Sequence, residues 1–146
     1  MVWDFQLEME IRRVLGIDPG EARVGVAVSD DLGMLAHPLE TIEVSKRDPC
    51  DRIVELATQK QAIAVVVGVA RNMDGSFGPA AEKARSLIER LRERLDCKVI
   101  PWDERLTTVS AQRALREAGR KAKSQRSVID QAAAQILLQS WIDSRP

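Results

Sequence analysis

Aromatic side chains are scarce in this chain of 146 residues, tyrosine is absent, and there is one histidine. With Phe, Trp and Tyr at 3%, a sheet that binds RNA by stacking bases on exposed rings is a poor match. The single histidine, His37, argues against Ser-His-Asp or Cys-His catalysis, because such sites need partners that the sequence does not offer. We interpret His37 as a packed or solvent-facing residue, and a general base is the weaker alternative.

Cysteines and long apolar runs are also lacking. Cys50 and Cys97 are far apart and form no CxxC motif, so neither a zinc site nor a disulfide framework is predicted. No apolar run approaches the ~20 residues that a membrane span needs. The beginning, MVWDFQLEME, lacks the basic segment of a signal peptide. We therefore expect a cytoplasmic protein that does not contact membranes.

The chain has no excess of charge of either sign, since 22 Lys and Arg balance 22 Asp and Glu. Any affinity for nucleic acid must therefore come from a local patch. One such patch is the stretch 113–126, RALREAGRKAKSQR, in which basic residues far outnumber the acid Glu117. A solvated connector is the alternative interpretation. The residues that we expect to bind a nucleic-acid backbone are Arg120, Lys121, Lys123 and Arg126.

Hydrophobic patterning predicts one domain over residues 12–146, after an N-terminal tail at 1–11. The predicted strands are 12–18, 23–29, 34–42, 62–68 and 97–102. Pro38 indicates a bulge or an edge position in the third of them. The predicted helices are one that begins after the N-cap Asp48, and three more at 79–95, 107–118 and 128–143.

This order of elements predicts an α/β fold, a mixed sheet with helices on both faces. The short turn between the first two strands favours an antiparallel hairpin. The later strands follow crossover helices and so run parallel to the first strand. The carboxyl ends of the first and last strands then meet at one edge of the sheet, where α/β proteins keep their sites.

Acidic residues lie where this topology brings distant segments together. Asp18 ends the first strand, Asp103 and Glu104 follow the last strand, and Asp130 lies near the start of the last helix. Singly, each has a structural explanation as a turn, loop or capping residue. Together they predict carboxylates that repel one another unless hard divalent cations lie between them.

Asp130 is predicted to lie at the margin of the apolar stripe by which the last helix packs on the sheet. A buried, unpaired carboxylate there would cost several kcal/mol, so surface decoration is a poor explanation. The predicted members of the stripe are Ile129, Ala132, Ala133, Ile136, Leu137, Ser140 and Trp141.

Five segments in order resemble the RuvX/YqgF family: IDPGEARVGVAVSD, HPLETI, VVVGVARNMDGS, WDERLTT and VIDQAAAQILLQSWID. The resemblance spans about residues 12–143. It implies the ribonuclease H-like fold, with three antiparallel strands and with strands one, four and five parallel. It also implies kinship with the RuvC Holliday-junction resolvases and assignment as a pre-16S rRNA nuclease. The main departure is Val69-Ala70-Arg71, where the family usually has Leu-Pro.

Carried over from that family, the catalytic and metal-binding roles fall on Asp18, Glu104 and Asp130. The implied cofactor is Mg²⁺ or Mn²⁺, as two ions on either side of the scissile phosphate. Whether Asp103 or Asp74 also ligates metal stays open at this point. The implied activity is metal-dependent hydrolysis of phosphodiester bonds.

Further residues are expected beside the substrate. Gly20 and Gly25 would let the backbone approach it closely. Arg105 would bind a phosphate, with orientation of Glu104 as the alternative role. Arg23 is interpreted as an ordinary charge at a strand edge.

The implied partner is nucleic acid, with three interpretations open. If the substrate is precursor rRNA, the assembling small ribosomal subunit is a further expected partner. The protein itself is then expected to be a monomer or a homodimer. Branched DNA would require a symmetric dimer that cuts two strands. A non-catalytic nucleic-acid-binding module would bind without cleaving.

An actin-like ATPase also begins with an Asp-x-Gly hairpin, but it needs two lobes and this chain has length for one.

Overall fold

The computed structural model describes residues 12–71, 74–106 and 126–145, and only the backbone of 126–128. The predicted tail at 1–11 and the predicted helix at 107–118 lie outside these ranges. No helix within them is both long enough and apolar enough to cross a bilayer.

Five strands form one mixed sheet in the order β3-β2-β1-β4-β5. β1 pairs with β2 and β2 with β3 in antiparallel fashion, whereas β1, β4 and β5 run parallel. The predicted topology is confirmed. The strands are β1 (Val14–Asp18), β2 (Arg23–Ser29), β3 (Ala36–Glu43), β4 (Ala64–Val69) and β5 (Lys98–Asp103).

Within the described ranges, three α-helices and one short 3-10 turn, Glu104–Leu106, accompany the sheet. The helices are α1 (Pro49–Lys60), α2 (Pro79–Arg94) and α3 (Arg126–Asp143). Asp48 caps α1 as predicted, because its Oδ2 accepts a hydrogen bond from the Asp51 amide at 3.0 Å. Pro49 occupies the first turn of α1, where a missing amide hydrogen costs nothing.

Both faces of the sheet are covered, by α1 and α2 on one side and by α3 on the other. β4 shows why its sequence is apolar at every position. Val65 and Val67 pack under α1 and α2, and Ala64 and Val66 pack under α3. Side chains on a strand alternate between faces, so a strand covered twice needs an unbroken apolar run.

The third strand shows both features that Pro38 predicts. β3 is an edge strand, and its pairing with β2 shifts register between Val26 and Ala27, with Pro38 opposite Ala27. Proline has no amide hydrogen to donate, so it is tolerated at such a bulge on an edge.

The buried stripe of α3 differs from the predicted one. The residues that are buried are Ala134, Leu137, Leu138 and Trp141. Leu137 and Trp141 are buried as predicted, whereas the other predicted members are only partly buried, so their inclusion in the buried stripe was wrong: Ile129, Ala132, Ala133, Ile136 and Ser140. Apolar residues occupy most of the circumference of this helix, outside the line of Gln131, Gln135 and Gln139, so its period alone could not select the buried face. In projection, Asp130 lies in line with Ala134 and Leu137, and its side chain is 25% exposed.

Candidate active site

Asp18 and Glu104 meet above the carboxyl edge of the sheet although a strand separates them. Asp18 ends β1 and Glu104 directly follows β5, with β4 between the two strands. The gap is roughly 10 Å, because neighbouring strands lie about 4.8 Å apart. Gly68 of β4 leaves it open: a Cβ on this residue would lie 3.0 Å from Glu104 Oε1. The bare backbone of β4 therefore gives the glutamate side chain its path towards Asp18.

The two carboxyl groups are hydrogen-bonded to each other. Burial of Asp18, the charge and hydrogen bond of Glu104 and the charge of Asp130 together raise the pKa of Asp18 to about 8. A hydrogen bond between two carboxyl groups requires that one of them carry a proton. Near neutral pH, a shared proton therefore relieves the repulsion between Asp18 and Glu104.

Asp130 comes to the same site because α3 lies very close to β2. Gly25 faces this helix, and a Cβ there would lie 2.0 Å from the backbone oxygen of Asp130. The pairing of Gly25 with Asp18 then sets Asp130 beside the end of β1. This corrects the expected role of Gly25, whose missing side chain admits α3 and not the substrate.

Arg23 neutralises Asp130. Its Nε donates a hydrogen bond to Asp130 Oδ2 at 2.8 Å, and the two side chains are 30% and 25% exposed. The interpretation of Arg23 as an ordinary strand-edge charge was therefore wrong. The alternation of side chains along β2 could have predicted this pairing. Arg23 lies on the same face of the strand as Gly25, and α3 covers this face.

The donor atoms of these residues can be compared with the ligands that Mg²⁺ or Mn²⁺ prefers. Three carboxylates are the hard oxygen donors that such ions prefer, and the raised pKa of Asp18 marks a site short of positive charge. Among the described residues, however, no group of three acidic, His or Cys side chains is already arranged to hold a metal ion. The donor chemistry fits, and a metal ion there would compete with the proton of Asp18 and with Arg23 for Oδ2 of Asp130.

Asp103 lies on the opposite face and is already neutralised. Arg105 donates to it from its backbone amide at 2.9 Å and from Nη2 at 2.8 Å. Arg71 Nη1 lies 3.6 Å from Asp103 Oδ2. The hydrogen bonds from Arg105, followed by the charges of the two arginines, lower the pKa of Asp103. Arg105 is therefore bonded to Asp103, and its two expected roles, binding a phosphate or orienting Glu104, remain predictions.

The remaining candidates lie at the margins of the site or beyond it. Asp74 is exposed and accepts hydrogen bonds from Ser76, so it stabilises its own turn. His37 is exposed on β3. Gly20 is exposed in the β1-β2 turn, where a Cβ would lie 2.3 Å from the Arg23 carbonyl oxygen. The turn alone thus accounts for this glycine. Arg120, Lys121 and Lys123 lie outside the described residues, as does the side chain of Arg126.

Comparison with known proteins places this geometry in a family. A family model described as "RuvX: Holliday junction resolvase" matches residues 12–144. The chain belongs to the RuvX family. This confirms the family indicated by its five segments.

Curated relatives of this RuvX protein carry the name "Putative pre-16S rRNA nuclease". One from Mycobacterium sp. strain KMS is 51% identical over 136 residues, covering 91% of this chain and 80% of the relative. Another from Acetivibrio thermocellus is 46% identical over 136 residues, covering 91% and 96%. Their names and the family description agree on hydrolysis of phosphodiester bonds, which confirms the expected reaction class.

Solved structures support the fold of this RuvX protein. RuvC from Thermus thermophilus superposes with a TM-score of 0.54 at 17% identity, over 88% of this chain and 92% of RuvC. The same RuvC in complex with a Holliday junction gives a TM-score of 0.54 at 18% identity, over 92% and 95%. The expected ribonuclease H-like fold is thereby confirmed.

Proposed function

We propose that this RuvX protein is a metal-dependent nuclease whose catalytic residues are Asp18, Glu104 and Asp130. The observation that carries the proposal is the meeting of three carboxyl groups from β1, the end of β5 and α3. Burial and mutual repulsion there raise the pKa of Asp18 to about 8. A cluster of acids would repel a phosphodiester, so its use on nucleic acid implies that cations offset its charge.

The three carboxylates would hold Mg²⁺ or Mn²⁺, expected as two ions. The metal would supply Lewis-acid activation of water and stabilisation of the leaving oxygen. Asp18 must first lose the proton that it shares with Glu104. Arg23 contacts Oδ2 of Asp130, and where a metal ion displaces this contact the guanidinium of Arg23 becomes available for a phosphate group, which such a side chain binds in bidentate fashion.

The proposed substrate is precursor 16S rRNA, cleaved during maturation of its 5′ end in the cytoplasm. The names of the curated relatives support this choice. The assembling small ribosomal subunit is the corresponding partner. Arg120, Lys121, Lys123 and Arg126 are proposed to bind the RNA backbone, with an affinity that falls as the salt concentration rises.

A four-way DNA junction is the second candidate substrate. The description of the family as a resolvase and the likeness to a RuvC bound to a junction favour it. This alternative requires a homodimer, because two opposed strands must be cut. A module that binds nucleic acid without cleaving it is the third outcome that an experiment must separate.

Parallel digestion tests the proposal. Wild type and Asp18→Asn are incubated with precursor 16S rRNA, a four-way junction and linear DNA, each with Mg²⁺ and with EDTA. We expect Mg²⁺-dependent cleavage of the precursor near its mature 5′ end by wild type alone. Preferential, symmetric cleavage of the junction would establish the resolvase alternative. Equal binding with and without metal and no cleavage of any substrate would establish the non-catalytic module.

A further inference from the structure

A cavity of about 460 Å³ lies at the same edge of the sheet, on the face opposite to the three acids. Val69 at the end of β4 and Asp103 at the end of β5 form part of its wall. The rest of the wall includes Arg71, Phe77, Arg85, Glu89 and Arg92. Its volume is within the range of small-molecule sites, about 300–1,000 Å³.

The ring of Phe77 holds two of these arginines. The guanidinium carbon of Arg71 lies 4.4 Å from the ring centroid, and that of Arg85 lies 4.2 Å from it. A guanidinium that stacks on a ring uses its flat face for this contact. Its N–H groups point outwards in the plane, so they remain available for an oxyanion.

The hydrogen bonds of the three arginines differ. Arg71 donates from Nε and Nη2 to the Gly75 carbonyl oxygen at 3.0 and 2.6 Å, and Arg92 donates to the Val99 carbonyl oxygen at 2.9 Å. Arg85 has no hydrogen-bond acceptor or ion-pair partner within the part of the chain that the structure describes. It is therefore the arginine of this cavity whose donors are most available to a ligand.

The charge of the wall favours an anion. Asp103 is neutralised by Arg105 and Arg71, so Glu89 is the one acid left against Arg85 and Arg92 among the wall residues named above. Arginine is also the side chain that matches the geometry of a phosphate best. The cavity thus combines positive charge, an available planar donor and the volume for a phosphate group.

The position of the cavity connects it to the acids. Asp103 faces the cavity, and the next residue, Glu104, crosses Gly68 on the other face. A strand that passes over this edge of the sheet would contact both places. We propose that the cavity binds a phosphate group of the nucleic-acid strand that the acids cleave, with Arg85 as its main contact. The proposal rests on the nuclease function for the identity of the ligand.

Binding of single-stranded RNA oligonucleotides, measured by fluorescence anisotropy in EDTA so that no cleavage occurs, tests the proposal. Arg85→Gln should weaken binding about 5- to 10-fold and reduce the salt slope by about 1. Arg94→Gln is the matched control, because it removes the same charge from the other end of α2, where Arg94 pairs with Asp51. It should bind within about 2-fold of wild type.

Oligonucleotides with a 5′-phosphate or a 5′-hydroxyl distinguish the source of the phosphate. Loss of affinity by Arg85→Gln only for the phosphorylated form would assign the cavity to a terminal phosphate. An equal loss for both forms would assign it to an internal phosphodiester. Phe77→Leu, which removes the ring that positions Arg85, should weaken binding in the same pattern and to a smaller extent.

The result that would overturn the proposal is equal affinity of Arg85→Gln and wild type, or an equal loss in Arg85→Gln and Arg94→Gln. The nuclease function is assessed separately, from Mg²⁺-dependent cleavage by wild type. If wild type cleaves and Arg85→Gln binds normally, only the cavity proposal fails. If wild type does not cleave but Arg85→Gln selectively weakens binding, the cavity proposal stands as a nucleic-acid site and the nuclease proposal fails.

Discussion

Asp103 and Glu104 are adjacent in the chain, yet they belong to two acidic regions of opposite character. On the α2 face, Arg71 and Arg105 surround Asp103 and lower its pKa. On the α3 face, Glu104 meets Asp18, whose pKa is raised to about 8. Both regions lie at the carboxyl edge of one sheet. The difference between them is therefore the local balance of charge, because two arginines contact the one acid Asp103, whereas Arg23 contacts one of three neighbouring carboxyl groups.

This difference is our reason for proposing the α3-face region, and not the α2-face region, as the metal site. The α2-face region is neutralised by two arginines, so an added cation would gain little there. Among the described residues, the α3-face region has one arginine, Arg23, against three carboxyl groups, and a bound proton on Asp18 offsets part of the remaining charge. A divalent cation could replace both the proton and Arg23. We therefore expect Asp103 to hold Arg105 in place through their hydrogen bonds, and we do not propose it as a further metal ligand.

The largest expected effect separates the two adjacent acids directly. Glu104→Gln should reduce Mg²⁺-dependent cleavage at least about 100-fold, because a lost metal ligand removes several kcal/mol of transition-state stabilisation. Asp103→Asn should stay within about 10-fold of wild type. Single-turnover cleavage of labelled precursor rRNA measures both. Equal losses in the two variants would contradict the division into two regions.

A smaller effect should appear in the pH dependence of stability. In EDTA, the folded protein keeps the proton of Asp18 up to about pH 8, whereas the unfolded chain loses it near the ordinary pKa of 3.8. Since the folded state binds more protons in this window, the free energy of unfolding should fall as the pH rises from about 4 to 8.

Asp18→Asn should abolish this decline, since an asparagine amide can donate to Glu104 without carrying charge. At pH 8 the variant should be more stable than wild type by about 2 kcal/mol in urea titrations, and near pH 4 the advantage should disappear. The ionisation of Asp103 should change the free energy of unfolding with pH in the opposite direction. Its pKa is lowered, so its contribution is present above the ordinary pKa and is lost as the pH falls through the lowered value. A pH-independent advantage of Asp18→Asn would refute the raised pKa as its cause.

The smallest effect concerns the one arginine of the α3-face region. Arg23→Gln should lower the free energy of unfolding by about 1 kcal/mol in EDTA, because it breaks a partly exposed ion pair. It should also strengthen Mg²⁺ binding in calorimetry, since the guanidinium of Arg23 then no longer competes for Asp130. Arg13→Gln is the control, because Arg13 pairs with Asp31 at 2.7 Å elsewhere. Weaker Mg²⁺ binding by Arg23→Gln would show that Arg23 supports the metal site instead of competing with it.

The strand pattern, the short β1-β2 turn and the crossover helices predicted the antiparallel β1-β2 pair and the parallel direction of the later strands, and the family resemblance implied the full set of pairings. The edge position of β3 followed from Pro38, and the start of α1 followed from Asp48. The meeting of Asp18 with Glu104 also followed from topology, because parallel strands end at the same edge. These features depend on local patterns that the chain states directly.

Other features depend on tertiary contacts that no local pattern reveals. The hydrophobic period of α3 could not identify its buried face, because apolar residues occupy most of the circumference of the helix. The reason for Gly25 and the pairing of Arg23 with Asp130 both follow from the close approach of α3 to β2. Once the face of Gly25 is known, strand alternation places Arg23 on it. The cavity beside Phe77 needs side-chain positions from α2, β4 and β5 together.

The central claim is that the α3-face region exchanges a proton and an arginine for divalent cations. A crystal of the protein grown with Mn²⁺ above pH 8 and measured near the manganese absorption edge locates such ions by anomalous scattering. The account predicts anomalous peaks bound by Asp18, Glu104 and Asp130, with Arg23 no longer bonded to Asp130. Manganese at Asp103, or no manganese while Arg23 stays on Asp130, would contradict it.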